Sequence, residues 1–77
     1  MKTIQVSNGY DTLIVADLHQ TNLVLATCSQ FIKSFPSDNI SDLIEVDIWE
    51  DGVIIESRAF VCVENEIPNI ENFLYGV

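Results

Sequence analysis

The fold of this chain is constrained most by two stretches of alternating apolar and polar residues. Each stretch is interrupted by a turn that contains glycine. The first surrounds Asn8-Gly9, and the second begins at Leu43 and surrounds Asp51-Gly52. Both dipeptides favour a tight type I′ turn, whose two central residues need positive φ. Side chains along a strand alternate between its two faces, so each stretch has one face to bury. The sequence therefore predicts two β-hairpins, over residues 2–15 and 43–63.

A two-residue turn at Asn8-Gly9 sets the predicted pairing of the first hairpin. It places Ile4 opposite Leu13 and Lys2 opposite Val15. The apolar face then carries Ile4, Val6, Leu13 and Val15, and the polar face carries Thr3, Gln5, Ser7 and Thr12. Residues 11–35 can also be drawn as one long helix. The Asn-Gly turn and the Leu-Ile-Val run that follows it favour the strand.

A two-residue turn at Asp51-Gly52 likewise sets the pairing of the second hairpin. The predicted outward-facing pairs are Trp49 with Ile54, Asp47 with Glu56, Glu45 with Arg58, and Leu43 with Phe60. The opposite face enters the core with Ile44, Val46, Ile48, Ile55, Ala59 and Val61. A strand slipped by one residue would exchange these two faces.

Two helices complete the predicted fold. A stripe at helical spacing consists of Thr21, Val24, Leu25, Cys28, Phe31, Ile32 and Phe35. Asp17 or Thr21 is the candidate N-cap, Pro36 ends the helix, and residues 36–39 have room for a short helical turn. A second helix begins near Pro68 and ends at Gly76, with an apolar stripe of Ile67, Ile70, Phe73 and Leu74.

The order ββαββα predicts an α+β fold over residues 1–77, one small domain. An antiparallel sheet of about four strands, in two hairpins, carries both helices on one face. We expect a shared core of Ile44, Val46, Ile48, Ile55, Phe31, Ile32 and Phe73. The two halves are similar in plan but show no repeat of residues.

The charge of the chain is unevenly distributed. Twelve acids and three bases give a net charge of −9, and ten of the acids lie between Asp38 and Glu71, where Arg58 is the only base. Direct binding to nucleic acid is disfavoured, because three bases do not offset this excess on a polyanion. A basic protein or ribonucleoprotein complex is the partner that the charge favours.

No catalytic or cofactor motif is present in the sequence. His19 is the only histidine and cannot complete an ordinary zinc site with Cys28 and Cys62. Phosphate loops, nucleophile elbows and calcium loops are also missing. We therefore predict no catalytic residue, no metal, no cofactor and no enzymatic activity. With neither a signal-like segment nor a membrane-length apolar run, we expect a cytoplasmic protein with reduced thiols and no membrane partner.

The predicted outer face and tip of the second hairpin form the candidate partner-binding surface. Its residues are Glu45, Asp47, Trp49, Glu50, Asp51 and Glu56. Directly opposed acids such as Asp47 and Glu56 repel each other, which a basic partner would relieve. Trp49 would supply the apolar anchor typical of interface hot spots. The alternative interpretation is that this face is solvent-exposed surface without a binding role, on which Glu45 and Arg58 form an ordinary cross-strand pair.

The C-terminal quarter carries a resemblance to a known family. Arg58-Ala59-Phe60, followed by the helix and ending of residues 69–76 (NIENFLYG), resembles the tail of phage anti-CRISPR proteins directed at the type I-F surveillance complex. In that tail an Arg-x-Phe strand precedes a short helix that closes on an aromatic-Tyr-Gly run. The remainder of the chain does not align and is far more acidic. No binding residues are carried over from the resemblance.

The resemblance implies inhibition by occupation of a nucleic-acid-binding surface, in the host cytosol if a phage encodes the protein. The sequence-based hypothesis is thus an anti-CRISPR or DNA-mimic inhibitor. The alternative is a small acidic interaction module, such as an antitoxin, an immunity protein or an accessory subunit. Either could be a monomer or a homodimer, because the predicted strand 53–63 leaves an open sheet edge.

Overall fold

The computed structural model describes residues 1–9, 11–34 and 43–77 and confirms the ββαββα order. Its elements are β1 (Lys2–Ser7), β2 (Thr12–Asp17), α1 (Thr21–Ser34), β3 (Leu43–Glu50), β4 (Val53–Val61) and α2 (Ile67–Tyr75). One turn of 3-10 helix, Glu64–Glu66, precedes α2. The strand β2 excludes the single long helix. The short helical turn expected over residues 36–39 lies outside the described residues, as do Phe35 and Pro36.

The four strands form one antiparallel sheet in the order β2-β1-β3-β4. The two hairpins join because β1 also pairs with β3, which places Ile4 opposite Ile48 and Val6 opposite Val46. All four of these side chains are fully buried. The centre of the sheet is therefore made by residues that the two hairpins contribute in equal parts.

The core lies between the sheet and the helices. Its buried members are Ile4, Val6, Ala16, Val24, Cys28, Ile32, Ile44, Val46, Ile48, Phe60, Cys62, Ile70 and Leu74. Ile44, Val46, Ile48 and Ile32 were predicted there, and the predicted Phe31 and Phe73 pack against the cluster half-buried. On β1 and β3 the alternate residues lie on the sheet face away from the helices. That face is called the outer face below.

The predicted pairing of the first hairpin is wrong. Ile4 lies opposite Ala16, not Leu13, and a register shift follows Val6. The reason is the turn: the side chain of Asn8 accepts a hydrogen bond from the Asp11 backbone N–H at 2.8 Å, and among the described residues of the turn Gly9 has positive φ but Asn8 does not. An Asn side chain bonded in this way replaces the two-residue type I′ turn. Val15 consequently lies on the outer face, with 63% of its surface exposed.

The second turn is as predicted, but the strand that follows it is not. Asp51 and Gly52 both have positive φ, at 54° and 82°, and Glu50 pairs with Val53. A β-bulge then intervenes, since Trp49 lies opposite Ile54 but Ile48 lies opposite Glu56. Beyond the bulge the two faces are exchanged relative to the prediction.

The bulge corrects several expectations about β4. Ile55, predicted in the core, is 44% exposed, Ala59 is exposed and Val61 is half-buried. Phe60, predicted to face outward, is 4% exposed and packs edge-on against Phe73, with 5.9 Å between the ring centroids. Arg58 shares the helix-side face with Phe60, and its guanidinium lies 5.6 Å from the centroid of that ring.

The helices begin and end close to the predicted positions. At the start of α1 the Thr21 hydroxyl donates to the Leu18 carbonyl, and the Gln20 side chain accepts from the Asp17 backbone N–H. Among the described residues, neither of the two candidates, Asp17 and Thr21, makes a side-chain capping hydrogen bond to the backbone of α1. In α2, Pro68 occupies the first turn and Gly76 is the C-cap, as predicted.

The buried thiol of Cys28 gives a testable prediction. Burial raises its pKa to about 11 from 9.0, so the thiol should stay protonated near pH 8 and react slowly with thiol reagents until the protein unfolds. A raised pKa also means that stability is retained below about pH 9 and falls as the pH rises toward 11. Urea unfolding of wild type and Cys28→Ala at pH 8 and 10.5 should show a smaller pH-dependent loss in the variant. Rapid labelling of native protein would contradict this prediction.

Candidate binding surface

The outer face offers three rows of side chains that cross the sheet from β2 to β4. One row is Asp17, Thr3, Trp49 and Ile54, the next is Val15, Gln5, Asp47 and Ser57, and the third is Thr12, Ser7, Glu45 and Ala59. The core cluster draws its buried members from the other face of the sheet. Exposed residues occur in each of the three rows, among them Ile54, Val15 and Glu45.

A shallow open depression of about 450 Å³ lies on this face, at the end near the second turn. It is lined by Met1, Thr3, Gln5, Val15, Trp49, Asp51 and Gly52. Trp49 and Val15 supply apolar surface, and Thr3 and Gln5 supply hydroxyl and amide groups between them. The depression thus combines an aromatic anchor with polar neighbours, which is the composition of a protein-interaction site.

Trp49 lines the depression, and its indole N–H group has no hydrogen-bond partner among the described residues. The residue is half-buried, but its indole Nε1 is buried. A buried donor without a partner costs about 1–3 kcal/mol. The unpaired N–H therefore offsets part of the stabilisation that burial of the indole ring provides.

Asp47 is less accessible than the sequence suggested. It lies on the inner strand β3, is 8% exposed, and accepts a hydrogen bond of 2.5 Å from the Ser57 hydroxyl. The predicted opposition of Asp47 and Glu56 is wrong, because the bulge places Ser57 there instead. The repulsion between Asp47 and Glu56 inferred from sequence is thus absent. Instead, the carboxylate of Asp47 is fixed by its hydrogen bond with Ser57.

The structure divides the predicted binding residues between two faces. Glu45 and Trp49 lie on the outer face together with Asp47. Asp51 projects from the turn, with an 85% exposed side chain 3.7 Å from the Met1 ammonium. Glu50 and Glu56 belong to the helix-side face, as do Arg58 and Phe60, so the predicted Glu45–Arg58 pair is also wrong.

The structure adds residues that the sequence reasoning did not assign to this surface. Val15 was predicted on the apolar face of the first hairpin, and Asp17 was considered as a helix cap. Both lie on the outer face beside β1. The Asp17 carboxylate is 3.8 Å from the exposed His19 imidazole. The accessible carboxylates on the outer face and its adjoining turn therefore include Asp17, Glu45 and Asp51, which come from both hairpins, and of these Asp51 lines the depression.

The fold is of the α+β class, with an antiparallel sheet covered by helices on one face. Comparison of the chain with protein-family models, curated proteins and solved structures finds no match in any of the three. Among the described residues, no three or more His, Cys, Asp or Glu side chains are grouped so that they could hold a metal ion. None of the described helices has the length and apolar character needed to cross a membrane.

Proposed function

We propose that this protein is a non-enzymatic inhibitor that binds a basic, nucleic-acid-binding surface of a host defence complex or nuclease. The observation that carries the proposal is the outer face, where Trp49 and Asp51 line a depression and the exposed Glu45 lies farther along the same strand as Trp49. The net charge of −9 supports it. The defence complex as target follows from the anti-CRISPR resemblance of the C-terminal quarter.

Inhibition by such a surface is electrostatic and stoichiometric. A channel that binds nucleic acid presents Lys and Arg to phosphates, and a group of carboxylates takes the place of those phosphates. Long-range attraction speeds the encounter, and the aromatic anchor slows dissociation. The nucleic acid is then excluded from the channel for as long as the inhibitor is bound.

A charge-reversal experiment tests which surface is used. The partner is first captured from host lysate on immobilised protein, identified, purified, and shown to be displaced by added double-stranded DNA. Glu45→Lys/Asp51→Lys should then weaken its binding at least about tenfold and flatten the salt dependence, because exposed interfacial charges act mainly on association. The matched control is Glu64→Lys/Glu71→Lys, which changes the net charge equally at exposed positions outside the outer face.

The control variant should bind nearly as the wild type does. Equal losses in both double variants would show that only net charge matters, and no loss in either would leave the outer face as solvated surface. A captured partner that DNA does not displace and that is encoded beside this protein would favour the alternative, an antitoxin, immunity protein or accessory subunit.

A further inference from the structure

β4 is an outer strand whose free edge is open over most of its length. It pairs with β3 on one side and ends the sheet. Every residue from Val53 to Ala59 is exposed, including the apolar side chains of Val53, Ile54 and Ile55. At nine residues it is longer than most edge strands, and it contains neither proline nor lysine, two residues that commonly block edge pairing.

The charge on β4 differs from that of the chain around it. Glu56 and Arg58 are its only charged residues, so the strand is neutral in a protein of net charge −9. The other edge strand, β2, is shorter, and it contains the carboxylate of Asp17 but no basic residue. Two copies of this protein repel each other over most of their surfaces, and β4 is where an approach costs least.

Symmetry restricts how β4 can pair with itself. In an antiparallel strand pair, residues that lie opposite each other point to the same face of the sheet. A two-fold axis perpendicular to the sheet meets this condition only if one residue lies opposite the same residue of the second copy. An axis at Glu56 would oppose two glutamates, and an axis at Arg58 would oppose two arginines. An axis at Ser57 places Glu56 of each copy opposite Arg58 of the other, and opposite charges stabilise such a cross-strand pair.

We propose that the protein forms a two-fold symmetric dimer in which β4 pairs with β4 of a second copy, with Ser57 facing Ser57. The pairing continues the sheet across both copies over residues 55–59, up to the bulge, and brings the exposed Ile55 of each copy close to Ala59 of the other. Two Glu56–Arg58 pairs fix the register. The dimer leaves the outer-face depression free, and it does not depend on the proposed inhibitory function.

The test is a charge swap, with the full-length chain measured by sedimentation equilibrium over a wide concentration range. Wild type should pass from monomer to dimer as its concentration rises. Glu56→Arg and Arg58→Glu should each raise the dissociation constant at least about tenfold, because each opposes like charges twice in the dimer. The combination Glu56→Arg/Arg58→Glu should restore it to within about threefold of wild type, because both pairs re-form.

The two single variants change the net charge in opposite directions, so a shared loss cannot come from net charge. Glu71→Arg on the exposed side of α2 is the matched control, and it should dimerise like the wild type. Circular dichroism checks that each variant is folded. A protein that stays monomeric at all concentrations would overturn the proposal. A dimer that neither single variant weakens, or that the double variant fails to restore, would overturn it equally.

Discussion

Replacing Ile48 with Ala should lower the free energy of unfolding by about 2–5 kcal/mol, a large part of the stability of a domain of this size. Ile48 has no exposed surface and lies opposite Ile4 at the join of the two hairpins. The cavity left there cannot be filled without moving both hairpins, because interiors are close-packed. Urea unfolding measures the loss directly, and the melting temperature should fall by at least about 10 °C.

Ile55→Ala is the matched control, since it removes the same atoms from the neighbouring strand. Ile55 is 44% exposed at the bulge, so we expect a loss below about 1 kcal/mol. The alternation in the sequence placed both isoleucines in the core, and only the register of β4 separates them. Comparable losses in the two variants would mean that β4 pairs without the bulge.

The elements of the fold could be predicted from the sequence because each has a strong local signal. The Asp51-Gly52 turn, the helical spacing from Thr21 to Ile32, and Pro68 at the start of α2 all act through neighbouring residues. The packing of the helices on one face follows from the single apolar side of each element. None of these features depends on a choice between competing long-range contacts.

The register of β4 could not be predicted because its pattern is ambiguous. Val53, Ile54 and Ile55 are three apolar residues in succession, so the alternation of apolar and polar residues does not determine which of them point to the core. The bulge resolves the ambiguity in favour of Phe60, whose ring buries more apolar area than the side chain of Ala59. Ile55 remains exposed as a consequence.

The candidate surface was therefore predicted in part. Glu45 and Trp49 were assigned to the outer face correctly, since β3 alternates without interruption up to Trp49. Glu56 was misassigned through the bulge, and Val15 through the Asn8 side chain that reshapes the first turn. Both errors come from local events that shift the pairing by an odd number of residues, three in the first hairpin and one beyond the bulge in the second, and an odd shift exchanges the two faces. The acidic character of the surface consequently rests on fewer accessible carboxylates than the sequence suggested.

Trp49→Ala should weaken binding to the basic partner at least about thirtyfold, mainly through faster dissociation. The indole forms the apolar part of the depression together with Val15, and truncation leaves the carboxylates to act without an anchor. Long-range attraction depends on charge, so the association rate should change little. Surface plasmon resonance with the purified partner separates the two rates.

Trp49→Phe is the control that distinguishes the apolar body of the side chain from its N–H group. The buried Nε1 has no acceptor among the described residues and is shielded from a partner as well. Phe should therefore keep binding within about threefold and leave stability unchanged or higher, because it removes an unsatisfied donor. If Phe binds as poorly as Ala, the N–H must reach an acceptor on the partner, and the outer face would have to rearrange on binding. If Ala binds as well as the wild type, the depression is not the anchor of the interface.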